Sequence, residues 1–148
     1  FMKLHQATRY AIWVTVYLAA HPDEQLSAAE LSKVFGISQH HLAKVLRSLS
    51  VAKLVSSTRG PGGGCTFVGD PKRVTLFDII SRFEDGLWDD ETQNTAARAG
   101  EELVEVSRVM NEIDRITKAT LRSVTLHTII NSAHVSARSD AILTENAS

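Results

Sequence analysis

Residues 26–55 read LSAAELSKVFGISQHHLAKVLRSLSVAKLV and predict two short helices joined by a tight turn. Ser27 and Glu30 have the spacing of a capping box, so the first helix begins there. Gly36 can adopt the left-handed conformation that ends this helix. Ser38 is the N-cap candidate of the second helix. Two short helices with a glycine in the connecting turn are typical of the helix-turn-helix motif.

The second helix has an apolar stripe on one side and an outer face without carboxylates on the other. The stripe consists of Leu42, Val45, Leu46 and Leu49. The outer face carries Gln39, His40, Ala43, Lys44, Arg47 and Ser48. A solvated polar face is the alternative, but such faces normally mix both signs of charge. These side-chain types bind base edges and phosphates, so we predict DNA contacts at five residues: Ser38, Gln39, His40, Lys44 and Arg47.

The stretch RGPGGGCT, residues 59–66, predicts the tip of a β-hairpin that follows the two helices. A hairpin in this place is the wing of a winged helix. Glycines permit positive φ angles and let the backbone approach a phosphate closely. Arg59 at the base of the tip is placed to enter a minor groove. We therefore predict further DNA contacts, against the alternative of a plain connecting turn, at Arg59, Gly62, Gly63 and Gly64.

Other uses of the glycine loop do not fit its spacing. A P-loop and a dinucleotide-binding fingerprint that start at Gly60 both require a last glycine where Cys65 stands. The sequence shows no serine, cysteine or paired-carboxylate arrangement typical of a catalytic site. We therefore predict that the protein is not an enzyme.

The charge of the 148-residue chain is unevenly distributed. Its formal net charge is -1, yet residues 1–74 hold nine Lys and Arg against four acids. Residues 75–148 hold seven against thirteen. A basic first half favours a polyanionic partner for that half. No apolar run approaches the ~20 residues that span a bilayer, so we expect a cytoplasmic protein that does not bind membranes.

The second half of the chain predicts a long helix beyond the DNA-binding domain. We place a winged helix-turn-helix domain over 2–86, a loop over 87–100, a dimerisation helix over 101–131 and a C-terminal tail over 132–148. Packing on the first helix is the alternative for the long apolar stripe, but a partner chain covers such a length better. The expected homodimer interface consists of Leu103, Val106, Met110, Ile113, Ile116, Thr120 and Val124. The predicted fold is thus mostly α with a small β-hairpin wing.

Three segments resemble the Rrf2 family of bacterial winged-helix transcription regulators: HQATRYAIWVTVYLA from His5, residues 26–64, and VTLFDIISRFEDG from Val74. The RGPGGG tip followed by DP and TLFDII is highly specific, and the resemblance covers residues 3–86. It implies a homodimer that regulates transcription, as a repressor or otherwise, on a palindromic promoter site of double-stranded DNA. The second helix would lie in the major groove and Arg59 in the minor groove.

The chain departs from this family in its cysteines. Many members carry three cysteines between the DII helix and the long helix, and these hold a two-iron two-sulfur cluster. The matching residues 87–100 contain none, and Cys65 is the only thiol. Because such clusters need thiolate ligands, we predict no iron–sulfur cofactor and no metal site. Cys65 is either a redox switch or a small apolar filler at the start of a strand.

The signal that the protein senses stays open at this stage. A small effector between the winged domain and the long helix is one possibility, with Trp13, Phe83 and Trp88 as lining or simply as core residues. A protein–protein adaptor on a winged-helix scaffold is the alternative to a DNA-binding regulator, because fold alone does not set function. The acid-free basic interval over residues 31–69 favours DNA.

Overall fold

The computed structural model describes residues 3–88 and 98–147, and this part of the chain is mostly helical. The helices are α1 Gln6–Ala20, α2 Ala28–Phe35, α3 Gln39–Val51, α4 Leu76–Phe83, α5 Glu101–Ser123 and α6 Leu126–Asn146. Between α3 and α4 lie the antiparallel strands β1 Val55–Ser57 and β2 Cys65–Phe67. The predicted fold class, a winged helix-turn-helix with a long additional helix, is confirmed.

The helix starts follow the capping residues expected from the sequence. Ser27 and Glu30 form the complete capping box of α2: the Ser27 N–H donates to Glu30 Oε2 at 2.7 Å, and the Glu30 N–H donates back to Ser27 Oγ at 3.1 Å. Gly36 ends α2 with a φ of 63°. Ser38 caps α3 by accepting the His41 N–H. These local bonds set the angle at which α3 leaves the turn.

The hydrophobic core is built around α1, which contacts α3, α4, α6 and β2. The fully buried side chains of this core come from elements far apart in sequence. Burial of each such aliphatic side chain contributes about 1.5–3 kcal/mol to the stability of the fold. They include Val14, Leu18, Leu31, Leu42, Leu49, Ile79 and Leu126. Leu126 belongs to α6, so the start of that helix is part of the winged helix-turn-helix domain.

The long helix predicted over 101–131 is in fact two helices, and the prediction was wrong here. Val124 is extended, with φ -100° and ψ 106°, and Thr125 caps α6. The Leu76 N–H donates to the Val124 carbonyl at 3.0 Å, and the Leu126 N–H donates to the Val74 carbonyl at 3.0 Å. The segment before α4 therefore takes up backbone groups that a continuous helix would have paired internally.

The predicted domain boundaries change with this break. The winged helix-turn-helix domain does not end at residue 86, because Leu126 and Ile130 pack into its core. The tail predicted over 132–148 is helical as far as Asn146, and its side chains are exposed. Most of the loop predicted over 87–100, namely residues 89–97, lies outside the described residues. Over the ranges that the structure does describe, none of the helices combines the length and apolarity that crossing a bilayer requires.

A buried carboxylate joins α1 to α4. Glu84 is only 4% exposed, and it accepts hydrogen bonds from the His5 N–H at 2.7 Å and from Thr8 Oγ1 at 2.5 Å. The His5 ring nitrogen Nδ1 lies 2.5 Å from Glu84 Oε2. Because His5 has no side-chain cap of its own, the Glu84 carboxylate completes the N-terminus of α1.

The environment of Glu84 keeps it ionised in the folded protein. Burial raises the pKa of Glu84, but the bonds from Thr8 and His5 outweigh burial and hold this pKa below its ordinary value of 4.5. A carboxyl whose folded pKa lies below its unfolded pKa stabilises the protein above the unfolded value. This stabilisation is lost as the pH falls from 4.5 through the lower folded pKa.

Replacing Glu84 with glutamine should therefore lower the free energy of unfolding by about 2 kcal/mol at neutral pH, since buried donors lose a charged acceptor. The difference from the parent should shrink as the pH falls from 4.5, where the unfolded carboxyl takes up a proton, through the lower folded pKa of Glu84. Denaturant unfolding at neutral pH and at a pH below 4.5 measures the difference in free energy of unfolding. Asp85→Asn, a change at the exposed neighbouring position, is the control. Equal stability of the two variants at neutral pH would show that Glu84 has no such role.

Candidate nucleic-acid interface

The outer face of α3 is open to solvent except at the half-buried Ser48. Leu42, Val45, Leu46 and Leu49 point into the core and are at most 6% exposed. The opposite side is exposed at Ser38, Gln39, His40, Ala43, Lys44 and Arg47. Gln39, Ala43 and Arg47 are spaced by four residues and therefore lie along one line of the helix surface. The structure thus brings all five residues predicted on this helix to one surface.

The basic side chains near this face carry no carboxylate partner. Within residues 3–88 and 98–147 the ion pairs are His5–Glu84, Arg73–Asp70, Arg108–Glu105 and Arg115–Glu112. Lys44, Arg47 and Arg59 are absent from these pairs. Their charges are therefore uncompensated at short range, as contacts to phosphates require.

The wing tip is a tight turn that requires glycine. Gly60 and Gly62 have positive φ values of 99° and 73°, a region that other residues rarely adopt. The Gly63 N–H donates to the Gly60 carbonyl at 3.0 Å, and Thr58 and Gly64 pair across the turn. A Cβ atom at Gly63 would overlap the Thr58 carbonyl oxygen.

The base of the wing is fixed to the helix-turn-helix. The Cys65 N–H donates to the Leu26 carbonyl at 2.7 Å. A Cβ atom at Gly64 would lie 2.8 Å from the backbone of Gln25 and Leu26, so glycine permits this close approach. The wing is thus held at a defined place beside α2 and α3, with Arg59 exposed at its tip.

A cleft of about 530 Å³ lies between α3 and the wing. It brings together Arg47 from α3 and two of the predicted wing glycines, Gly63 and Gly64. Other lining residues, Ser50 and Thr58 among them, were not singled out from the sequence. They lie on different elements, and only the tertiary structure makes them neighbours. The full lining is Ser27, Ala28, Ala43, Leu46, Arg47, Ser50, Ser57, Thr58, Gly60, Gly63, Gly64 and Cys65.

Cys65 is a buried strand residue. It is 4% exposed and packs in the hydrophobic core, with its Sγ 3.4 Å from Ser57 Oγ. Its position matches the small apolar filler expected from the sequence. Among the described residues no group of three or more His, Cys, Asp and Glu side chains is placed to bind a metal ion. The redox role of Cys65 stays a prediction.

The aromatic residues considered for an effector site lie in different surroundings. Trp13 on α1 is 49% exposed and pairs with Tyr10, with ring centroids 5.8 Å apart. Phe83 packs against the core. Trp88 pairs with Phe77, with ring centroids 5.9 Å apart. The two indoles therefore belong to separate aromatic pairs.

Helix α5 is covered on one side only. Its Lys118 Nζ lies 5.1 Å from the Trp88 ring centroid, and its Arg122 guanidinium carbon lies 4.2 Å from that of Phe77. These cation–π contacts dock one side of α5 on α4 and the turn after it. None of the 23 residues of α5 is buried.

The opposite side of α5 is apolar and open. About half of each side chain is exposed at Leu103, Val106, Val109, Met110, Ile113 and Ile116. The steps of three and four residues keep these side chains on one face of the helix. Five of the seven predicted dimer residues belong to this exposed set, Thr120 is also exposed, and Val124 lies at the break after α5.

Comparison with known proteins matches this chain to a family of transcriptional regulators. Residues 4–132 match the Rrf2 family model, described as an iron-dependent transcriptional regulator. A protein of Rhodopseudomonas palustris, named as an HTH-type transcriptional regulator, BadM, is 45% identical over 130 residues, which cover 87% of this chain and 81% of that protein. A second HTH-type regulator, from Aquifex aeolicus, is 37% identical over 57% of this chain and 58% of its own length.

Solved structures show the same fold. A transcriptional regulator from Listeria innocua superposes with a TM-score of 0.69 at 25% identity, over 88% of this chain and 87% of the other. IscR of T. potens superposes with a TM-score of 0.70 at 23% identity, over 89% and 88% of the two chains. The family that this chain matches and its relative from Rhodopseudomonas palustris are transcriptional regulators rather than enzymes, which confirms the prediction that the chain is not an enzyme.

The residues of this chain do not fit an iron–sulfur cluster. A cluster of the kind that the resemblance implies takes several thiolate ligands, whereas this sequence contains one cysteine. That cysteine forms part of the core and of the cleft floor below the wing. The family model is described as iron-dependent, but this chain lacks the thiolate ligands that an iron–sulfur cluster takes.

Proposed function

Because the chain belongs to the Rrf2 family of DNA-binding transcriptional regulators, we propose that it is a homodimeric repressor of a palindromic promoter site. The single observation that carries the proposal is the acid-free outer face of α3 beside a fixed wing. Such a regulator would act in the cytoplasm, where promoter DNA is found.

In the proposed complex α3 lies in the major groove and its first turns meet the base edges. Gln39 has the amide that pairs with adenine, and Lys44 and Arg47 are suited to guanine or to phosphates. Ser38 and His40 lie at the start of the same helix. The wing reaches the neighbouring minor groove with Arg59, and the backbone at Gly62, Gly63 and Gly64 passes close to the phosphates.

The proposed dimer forms through the exposed apolar face of α5. A face of six half-exposed aliphatic or thioether side chains is a liability in a monomer. A second copy of the same helix covers it with matching spacing, as in a two-stranded coiled coil. The side of α5 that docks on α4 faces away from this interface, so each protomer can present its own α3 and wing.

We further propose that the protein binds no iron–sulfur cluster. The absorption spectrum of protein purified without oxygen tests this directly. We expect no absorption band in the visible range, at wavelengths longer than the absorption of the aromatic side chains. A cluster band there would contradict the proposal.

Selection of bound fragments from genomic DNA tests the proposed function and identifies the operator. We expect recovered fragments to share an inverted repeat whose half-sites lie one helical turn, or a multiple of it, apart. Reporter expression from such a promoter should rise when the regulator is removed. Failure to enrich any sequence would point to the adaptor alternative, and a fall in expression would make the protein an activator.

Replacing Arg59 with alanine should weaken operator binding by about 1–3 kcal/mol if the side chain reads a base step. The protein should remain folded, because Arg59 is exposed and takes part in none of the described ion pairs. A titration at fixed salt measures the affinity. Arg82→Ala, at an exposed position on α4, controls for loss of one charge. Equal affinity of the two variants would remove the wing tip from the mechanism.

A further inference from the structure

The cleft between α3 and the wing has the size of a small-molecule site. Its volume of about 530 Å³ lies in the range of roughly 300–1,000 Å³ that is usual for ligand pockets. Three elements line this open cleft: the start of α2, the side of α3 that faces the wing, and the wing. Because α3 and the wing both face the proposed DNA, an occupant of the cleft would lie at the DNA-binding surface itself.

The floor of the cleft is apolar and its rim is polar. Ala28, Leu46 and Cys65 supply hydrocarbon and sulfur surface, and Leu46 and Cys65 are at most 6% exposed. Arg47 supplies the only charged side chain of the lining. The remaining polar side chains of the lining are hydroxyls, at Ser27, Ser50, Ser57 and Thr58. A group with an apolar body and one anionic end matches this distribution.

We propose that this cleft binds a small organic carboxylate and that its occupation releases the protein from DNA. The carboxylate group pairs with the Arg47 guanidinium, which favours planar, two-oxygen acceptors. The apolar body lies on the floor formed by Ala28, Leu46 and Cys65. The proposed regulation of DNA binding rests on the proposed function, whereas the proposed carboxylate site does not.

A DNA strand is the competing occupant of the cleft. A phosphodiester group is hydrated and anionic, so it gains nothing from contact with the apolar floor. It can use the rim, and in particular Arg47. The carboxylate and the DNA backbone therefore compete for the same guanidinium, and this competition is the proposed means of control.

Fluorine NMR on the DNA-free protein tests the site. The probes are 4-fluorophenylacetate, 3-(4-fluorophenyl)propionate and 6-fluoro-2-naphthoate, each compared with its own primary amide. At least one carboxylate should bind about tenfold more tightly than its amide, because the amide keeps the apolar body but loses the charge-assisted bond. Equal affinity of every carboxylate and its amide, or no binding at all, would overturn the proposal.

Variants locate the binding in the cleft. Arg47→Gln should reduce the preference for the carboxylate to near unity. Ala28→Leu fills the floor and should abolish binding of both probe types. Ala29→Leu, at the next position and outside the cleft lining, should bind the probes as the parent does. Thermal melting confirms that each variant is folded, and Arg47→Gln decides the case should Ala28→Leu not fold. Equal loss at Ala28→Leu and Ala29→Leu would place the probe elsewhere.

Competition between the carboxylate and DNA tests the proposed regulation of DNA binding. At a carboxylate concentration ten times its own Kd, the apparent Kd for operator DNA should rise about tenfold for each cleft, and therefore about 100-fold for a dimer with two clefts. The Ala28→Leu variant should not respond. If a probe binds the cleft and the operator affinity stays unchanged, the proposed regulation by competition is wrong. If Ala28→Leu itself weakens DNA binding and no probe binds, the cleft belongs to the DNA strand. A protein that binds the probe but no DNA would instead contradict the proposed function.

Discussion

Replacing Ile113 with glutamate is expected to split the dimer and to lower operator affinity by at least about 100-fold. Ile113 lies in the middle of the apolar face of α5 and is 50% exposed in the single chain. Two carboxylates facing each other in an apolar interface are strongly unfavourable. A monomer binds one half-site only, and loss of the second linked contact costs about 10²–10⁴ in affinity.

Light scattering coupled to gel filtration measures the mass of this variant, and a titration measures its affinity. Asn111→Glu is the control, because residue 111 lies on the opposite side of α5 from Ile113. The control should remain a dimer with nearly unchanged affinity. A dimeric Ile113→Glu protein would show that α5 is not the interface.

Replacing Gly63 with alanine should reduce operator affinity by more than the Arg59→Ala change does, and by at least about tenfold. A Cβ atom there overlaps the Thr58 carbonyl oxygen and approaches the Gly60 carbonyl at 3.0 Å. The turn must therefore open, which displaces Arg59 and all three predicted glycine contacts together. The core does not include the wing tip, so the melting temperature should change little.

Titration and melting of Gly63→Ala should be compared with Gly100→Ala. Gly100 also has a positive φ, of 132°, but it precedes α5. The Gly100 variant should keep its operator affinity. Retention of full affinity by Gly63→Ala would mean that DNA binding does not need the observed shape of the wing.

The helix-turn-helix and the outer face of α3 could be predicted because their signals are local. Caps at Ser27 and Ser38 and the turn at Gly36 depend on residues within one helical turn of each other. The apolar stripe of α3 fixes which side faces the core, and its opposite side follows from helix geometry alone.

The break after α5 could not be predicted from periodicity, because it arises from a distant segment. Val74 and Leu76 bond to the backbone at Leu126 and Val124, about fifty positions along the chain. The local signal of this helix start is Thr125, which caps α6 through Thr128. The helical structure of the polar tail could not be predicted for a related reason: polarity alone does not distinguish an exposed helix from an irregular segment.

The cleft between α3 and the wing lies beyond prediction of this kind. Ser27, Ser50 and Thr58 come from three elements, and no spacing rule relates them. Glu84 is similar, since its partners His5 and Thr8 lie at the other end of the domain sequence. Residues that act through tertiary neighbours require the structure.

The salt dependence of operator binding tests the central claim most directly. Lys44, Arg47 and Arg59 of two protomers supply six cations to phosphates or grooves, so a plot of log affinity against log salt should have a slope of about -5. The measurement uses the selected genomic operator and the full chain at constant pH. A saturable complex with a slope near this value is the predicted result. A slope near zero, or no saturable complex at low salt, would contradict the account of a dimer that grips DNA through α3 and the wing.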